Sequence, residues 1–115
     1  MDYPLAPRPR SELLPGTLDM LILRTLSAGS MHGYGIAQHI QRLSHDAIQL
    51  EEGTLYPALQ RMKVKGWISG AWRKTPNNQR ARFYTITAAG RRQLGERISA
   101  FDQALLAITR VMRTS

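Results

Sequence analysis

The C-terminal quarter of the chain carries the pattern that most restricts its fold. No proline follows Thr87, and large apolar residues recur there at alternating intervals of four and three: Leu94, Ile98, Phe101, Leu105, Ile108 and Met112. This heptad pattern predicts one continuous helix over 88–112, with Thr87 as its N-cap. At 1.5 Å per residue the helix would be about 38 Å long, more than a small domain covers from within. We therefore expect these six residues to form a homodimer interface, the alternative being a helix packed only on its own core.

The size of the chain and its lack of cysteine exclude several kinds of protein. With 115 residues it can build one modest core, so a single domain is expected. Without cysteine there is no disulfide, no thiolate metal site and no cysteine nucleophile. The histidines, His32, His39 and His45, lack metal-ligand spacing, and no acid–base pair or catalytic Ser/His/Asp order can be assembled. We expect no metal, no cofactor and no enzymatic activity.

The apolar segments of the chain give no sign of a membrane protein. The longest apolar runs, 20–23 and 104–108, are far shorter than the roughly 20 residues that a membrane span needs. No apolar signal region follows the first methionine. The sequence therefore predicts a soluble, cytoplasmic protein with no membrane partner.

Charge is distributed very unevenly along the chain. Residues 53–95 contain nine lysines and arginines and no acidic residue, although the whole chain has eight Asp and Glu and a net charge of +8. A surface built from such a segment attracts polyanions, and charge alone would fit nucleic acid or an anionic membrane. The order of the predicted elements inside the segment favours double-stranded DNA.

Two short helical patterns joined by a glycine precede the basic segment. Thr17 is expected to cap a first helix that runs to about Ala28 and is apolar over most of its surface. Gly33 is expected to open a second helix that ends at about Leu43 and has Leu43 on its apolar face. Two short helices with such a connection are typical of a helix-turn-helix.

A third helical pattern, beginning near Glu52 or Gly53, has one apolar and one polar face. Pro57 supports this start, because proline costs little near the first turn of a helix and about 3 kcal/mol deeper in it. At about 100° per residue the core face carries Leu55, Leu59 and Met62. The remaining faces carry donors for phosphates or base edges: Thr54, Tyr56, Gln60 and Arg61. Tyr56 fits the core about as well as it fits a DNA contact.

A two-strand pattern follows the third helix. Residues 67–74 and 80–86 alternate as two antiparallel strands, with Pro76, Asn77 and Asn78 supplying the turn. Four of the ten residues from Arg73 to Arg82 are basic. We interpret the hairpin as a wing that contacts DNA, the alternative being a solvated β-turn.

These patterns predict a mainly α fold with a small β-hairpin. A winged helix-turn-helix over 13–87 would be followed by one long C-terminal dimerisation helix over 88–115. Residues 1–12, with three prolines and two arginines, would form a flexible basic arm that either touches a groove or is a solvated terminus. The residues predicted to contact DNA are Tyr34, Thr54, Tyr56, Pro57, Gln60, Arg61, Lys65, Arg73, Lys74, Asn77, Arg80 and Arg82.

The residues that open these elements resemble a known family, the PadR-like winged-helix transcriptional regulators. The resemblance covers residues 14 to about 94. Its residues are Leu14, Pro15, Gly16, Thr17 and Leu18, then His32, Gly33, Tyr34 and Ile36, then Gly53, Thr54, Leu55, Tyr56 and Pro57, and finally Tyr84, Thr87 and Gly90. The single helix after the wing is similar to that of the shorter subfamily, which dimerises through it.

The resemblance implies a dimeric, repressor-type regulator with the third helix in the major groove and the wing on the backbone or minor groove. Family members respond to phenolic acids, drugs and other small apolar compounds. A planar hydrophobic effector stacked on Phe101, between the C-terminal and first helices, is therefore one hypothesis; Phe101 as interface core is the other. The wing turn reads Pro76, Asn77, Asn78 and Gln79 where the family more often has a glycine-rich turn.

Two functions are consistent with the sequence. The first is a cytoplasmic transcriptional repressor that binds an inverted-repeat operator as a homodimer. The second is a basic RNA- or nucleoid-binding protein without sequence preference, which the charge alone would permit. Gln60 and Arg61 favour the first, because a non-specific binder needs no base-reading side chains.

Overall fold

The computed structural model describes residues 16–114, so the predicted arm and the residues Leu14 and Pro15 lie outside it. Four helices and three strands follow in the order α1 (Thr17–Leu26), β1 (Met31–His32), α2 (Gly33–Leu43), α3 (Glu52–Val64), β2 (Ile68–Lys74), β3 (Arg80–Ile86) and α4 (Ala88–Met112). The strands form an antiparallel sheet in the order β1-β3-β2. This is the predicted winged helix with one C-terminal helix. Within the described range, no helix combines the length and apolar character of a membrane span.

The core lies where α1, α2 and α3 meet the base of the hairpin. Its side chains are mainly aliphatic, and they are Ile22, Leu23, Leu26, Ile36, Ile40, Leu55, Ala58, Leu59, Met62, Ile68, Tyr84, Ile86 and Leu94. The predicted core face of α3 is confirmed, since Leu55, Leu59 and Met62 are all buried. The prediction for Leu43 is wrong: its side chain is exposed, because α2 extends past the core before the exposed turn at His45 and Asp46.

The first helix begins one residue earlier than the capping pattern predicts. Gly16, not Thr17, is the N-cap; its φ of 84° is in the left-handed region, which favours glycine. The carbonyl of Gly16 already accepts a hydrogen bond from the N–H of Met20 at 3.2 Å. The helix also ends at Leu26, two residues before the predicted end.

Strand β1 was not predicted, because two residues are too short to show an alternating pattern. Met31 pairs with Tyr84 and His32 with Phe83, so β1 adds a third strand beside β3. His32 then caps α2, its Nδ1 accepting a hydrogen bond from the N–H of Gly35 at 2.9 Å. The connection between the first two helices is thereby tied to the sheet.

The start of α4 is fixed against the end of α3. Thr87, the predicted N-cap, accepts a hydrogen bond from the N–H of Gly90 at 3.0 Å and donates one to the carbonyl of Gly66 at 2.6 Å. A Cβ atom at Gly90 would lie 2.1 Å from the carbonyl oxygen of Trp67. Only glycine therefore allows this approach.

Helix α4 leaves the core after its second turn. Leu94, predicted to lie in a dimer interface, is only 7% exposed and belongs to the chain's own core, because the first turns of α4 pack on the sheet and α1. The other five residues of the heptad pattern are 36–76% exposed: Ile98, Phe101, Leu105, Ile108 and Met112. Most of the helix thus presents an uncovered apolar face.

Candidate nucleic-acid interface

The outer face of α3 is open along its whole length. Pro57, Gln60 and Val64 lie opposite the buried residues and are exposed, whereas Thr54 on the flank is partly buried. Pro57 lies in the second turn of α3 without interrupting the helix. This face offers one amide group, on Gln60, between apolar side chains.

Tyr56 is shared between the core and the surface. A Cβ atom at Gly33 would lie 2.7 Å from Tyr56 Oη, so the tyrosine ring packs closely on the first turn of α2. The same side chain is 39% exposed. The packing against α2 therefore buries one side of the ring and leaves the other open, and a DNA contact by the open side stays a prediction.

A wide groove separates the helix-turn-helix from the hairpin. We call it the wing groove: a cavity of about 880 Å³ between the first turns of α2 and α3 and the β2–β3 hairpin. Aromatic and basic side chains form much of its lining, including Tyr34, Tyr56, Trp72, Arg80, Arg82 and Tyr84. Five of the residues predicted to contact DNA meet here: Tyr34, Tyr56, Asn77, Arg80 and Arg82.

Tyr34 is held at the mouth of the wing groove by its neighbours on α2. Its hydroxyl accepts a hydrogen bond from Nε2 of Gln38 at 2.9 Å. Its ring stacks with His32 at 6.4 Å between centroids. The side chain is nevertheless exposed, so its polar end is available to a ligand.

Trp72 is the largest side chain of this surface that the sequence analysis missed. It lies opposite Arg82 in the hairpin and is 58% exposed. The guanidinium carbons of Arg80 and Arg82 are 5.5 and 6.0 Å from the centroid of a Trp72 ring. Such contacts hold cationic groups over an aromatic face. The alternation of β2 could have identified Trp72, because Trp72 lies on the same face of the strand as the buried Ile68.

Tyr84 is buried at the base of the wing groove. Burial raises the pKa of its phenol above 10.0, Arg82 opposes this by lowering the pKa, and Tyr56 raises it further. The phenol therefore stays protonated at neutral pH. It forms part of the groove wall as a neutral group.

The hairpin turn is organised by its own side chains. The N–H of Asn78 donates to the carbonyl of Thr75 at 2.9 Å, and Asn78 has a φ of 65°, a conformation that asparagine tolerates better than most residues. Asn77 accepts a hydrogen bond from the hydroxyl of Thr75. The turn therefore forms without the glycine that is common in the family.

The other predicted DNA contacts lie outside the wing groove. Arg73 stands over Phe83 at 5.5 Å, and Lys65 stands over Trp67 with its Nζ 4.7 Å from the centroid. Lys74 is exposed beside the hairpin turn. These three cations suit contacts with phosphates, which need charge but little orientation.

Arg61 forms an ion pair with an acidic residue of the first helix. Its Nη2 lies 2.5 Å from Oδ1 of Asp19, and the Asp19 side chain is 6% exposed. The sequence analysis missed Asp19. Asp19 begins the buried stripe that continues with Ile22, Leu23 and Leu26, and this spacing could have identified it as a buried residue.

Comparison with known proteins decides the family. A sequence model of the transcriptional regulator PadR-like family matches residues 22–96, more than half of the chain. The chain belongs to the PadR-like family. This PadR-like chain is 32% identical over 94 residues to an uncharacterised protein of Lysinibacillus sphaericus, covering 82% of the chain and 86% of that relative.

Solved structures of transcriptional regulators have the same fold as this PadR-like protein. A regulator from Clostridium thermocellum superposes with a TM-score of 0.79 at 25% identity, over 87% of this chain and 97% of that one. A PadR family regulator from Clostridium difficile superposes with a TM-score of 0.74 at 25% identity, over 84% and 99%. PadR-like proteins are DNA-binding regulators of transcription and not enzymes, so this chain is a transcriptional regulator.

The described part of this PadR-like regulator offers no alternative centre for metal chemistry. Residues 16–114 contain no group of three or more His, Asp or Glu side chains that could hold a metal ion.

Proposed function

We propose that this PadR-like protein is a cytoplasmic transcriptional repressor that binds an inverted-repeat operator as a homodimer. Helix α3 would enter the major groove, and the hairpin would contact the backbone or the minor groove. One observation carries the proposal: the exposed face of α3 lies beside a groove that holds Arg80 and Arg82 and has no acidic residue in its lining. Inside the wing groove a phosphate backbone would meet only neutral or positive side chains, whereas the acidic Glu52 lies in the first turn of α3.

The homodimer is supported by the uncovered face of α4. A soluble chain rarely leaves a long row of apolar side chains in water, and a second α4 of the same heptad spacing would cover it. A two-fold dimer also matches the symmetry of an inverted repeat. The interface would contain Ile98, Phe101, Leu105, Ile108 and Met112, without Leu94.

The experiment that tests the proposal separates it from non-specific binding to RNA or to the nucleoid. Footprinting on the DNA upstream of the protein's own gene would first locate an operator. Affinities for this operator and for a scrambled duplex of equal length are then compared at one salt concentration, because phosphate contacts depend strongly on salt. A sequence-specific repressor prefers its operator by at least about 1000-fold. Equal affinities would favour the non-specific alternative.

Gln60→Ala is expected to weaken operator binding by about 1 to 3 kcal/mol while leaving scrambled DNA nearly unaffected. The reason is that Gln60 is the exposed amide on the outer face of α3, and a glutamine can bond an adenine edge through two hydrogen bonds. Lys74→Ala is the matched control, because a phosphate contact on the hairpin should weaken binding to both duplexes alike. Electrophoretic mobility shifts on the two duplexes measure the difference. Equal losses for Gln60→Ala would rule out base reading by this residue.

A small planar hydrophobic effector would bind beside α4. A cavity of about 200 Å³ lies between the first turn of α1 and α4, and its lining includes Met20, Arg97 and Phe101. An aromatic ring and a thioether favour a flat apolar compound in this cavity. We propose that such a compound releases the repressor from its operator.

Phe101→Leu is expected to leave operator binding nearly normal and to abolish the response to planar hydrophobic compounds, because it removes the only aromatic ring of the cavity lining. The measurement is operator affinity with and without a panel of such compounds. A less stable dimer with an unchanged response would instead show that Phe101 acts only in the dimer interface and not in an effector cavity. If no compound shifts the affinity of the parent protein, the effector proposal is wrong.

A further inference from the structure

Asp19 is an unusual residue in the core of this protein. It lies in the first turn of α1 with its side chain 6% exposed, and the other buried polar residue of the described chain is the uncharged Thr25. A buried carboxylate is costly unless cations and hydrogen bonds compensate it. The partners of Asp19 therefore indicate why the residue is there.

Asp19 joins two arginines from different helices. Its Oδ1 accepts a hydrogen bond from Nη2 of Arg61 on α3 at 2.5 Å, and its Oδ2 lies 3.8 Å from Nη2 of Arg97 on α4. Arg97 has further contacts: its Nη1 is 3.4 Å from the carbonyl oxygen of Gly16, and its guanidinium carbon is 5.3 Å from the Trp67 ring. Arg97, whose side chain is 26% exposed, thus places a second positive charge near the carboxylate.

Arg61 is placed differently, because it reaches outwards from the same carboxylate. Its side chain is 47% exposed on a flank of α3, the helix proposed to read DNA. A guanidinium has five N–H donors in a rigid plane, and the hydrogen bond to Asp19 uses Nη2. The remaining donors are held in a fixed orientation at the surface.

We propose that Asp19 is a positioning residue for sequence recognition: it fixes the Arg61 guanidinium so that its free donors face a base edge in the operator. The inference rests on the proposed function of α3. An unrestrained arginine loses rotamer freedom when it binds a base, and a side chain already ordered in the free protein loses less. Arginine donates to guanine through two parallel hydrogen bonds, so orientation affects specificity more than total affinity.

Because Asp19 is charged, the proposal predicts that its replacement changes the affinities for operator DNA and for scrambled DNA in opposite directions. Replacing Asp19 by asparagine removes a negative charge, which on electrostatic grounds strengthens binding to any duplex. Loss of the fixed Arg61 orientation weakens binding to the operator alone. A merely structural role would lower the fraction of active protein and weaken binding to both duplexes equally.

The experiment measures operator and scrambled-duplex affinities for the parent, Asp19→Asn, Arg61→Ala and the double variant. We expect Asp19→Asn to reduce the ratio of operator to scrambled affinity by about fivefold or more, with scrambled binding unchanged or tighter. Arg61→Ala should reduce the ratio at least as much. Adding Asp19→Asn to Arg61→Ala should cause no further reduction, because the two residues act through one contact.

Asp46→Asn is the matched control, since it removes the same charge from an exposed position whose Oδ1 accepts from Gln41 instead of an arginine. Its affinity ratio should equal that of the parent. An unchanged ratio in Asp19→Asn, or equal losses on both duplexes, would overturn the inference while leaving the proposed function intact. If the parent itself shows no preference, the proposed function fails and this inference with it.

A second variant covers the case in which Asp19→Asn does not fold. Arg61→Lys keeps a cation for Asp19 but lacks the planar fork that two parallel hydrogen bonds require. We expect its affinity ratio to fall towards that of Arg61→Ala. A ratio equal to that of the parent would show that no oriented guanidinium is needed, and would overturn the role of Asp19.

Discussion

Leu105→Arg is expected to convert the proposed homodimer into monomers. Leu105 lies in the middle of the uncovered face of α4 and is 52% exposed in the single chain. In a dimer its side chain would be buried between two helices, where an unpaired charge costs about 3 to 5 kcal/mol. Because both chains carry the substitution, the two charges also repel. The dimer dissociation constant should therefore rise by at least about 100-fold, which sedimentation equilibrium would detect.

Gln103→Arg is the matched control for this variant. It adds the same side chain two residues earlier on α4, at an exposed position about 160° around the helix from Leu105. The control should remain dimeric. A parent protein that sediments as a monomer, or an undisturbed dimer for Leu105→Arg, would remove α4 from its proposed role in dimerisation.

Gly90→Ala is expected to lower the free energy of unfolding by about 3 kcal/mol, through overpacking at the start of α4. The new Cβ atom would lie 2.1 Å from the carbonyl oxygen of Trp67 and 2.8 Å from Cγ1 of Ile86. The carbonyl cannot move away cheaply, because it accepts a hydrogen bond from the N–H of Thr87 at 3.0 Å. Urea denaturation at one fixed protein concentration measures the change.

The same substitution five residues later should have the opposite effect. Gly95 also lies in α4, but a Cβ atom there meets nothing within 4 Å. Gly95→Ala should therefore raise the free energy of unfolding by about 0.5 to 1 kcal/mol, because alanine favours the helix. Similar changes for both variants would show that the contact between Gly90 and Trp67 does not restrict the packing of α4.

Local patterns in the sequence predicted most of the elements. The heptad spacing and the capping residue Thr87 predicted α4 to the residue at both ends, and alternation predicted β3 without error. The start of α3 predicted from Pro57 is confirmed, although Pro57 lies in the second turn of the helix and not in the first. Strand β1 was missed because its formation depends on pairing with β3, whose partner residues are 51 and 53 positions away, and not on its own two residues.

The site was harder to predict than the fold. Leu94 has the same spacing as the rest of the heptad pattern, and only the docking of α4 on the core distinguishes it from Ile98. Tyr56 was ambiguous because Gly33, which buries one side of its ring, lies on another helix. Arg61 was interpreted as a free base reader, whereas its partner Asp19 is 42 residues away in the sequence. A helical wheel describes one element and contains no information about such contacts.

The junction at Thr87 has a mechanical consequence for a dimer joined through α4. Because Thr87 bonds to Gly66 and Gly90 packs on Trp67, the end of α3 and the start of α4 move as one body. The distance between the two copies of α3 is then determined by the angle at which the two α4 helices cross. Because α4 is several helical turns long, a small change of this angle produces a larger change in the distance between the two copies of α3. Such a change would alter which spacing between operator half-sites the protein can span, without any rearrangement within either DNA-binding domain.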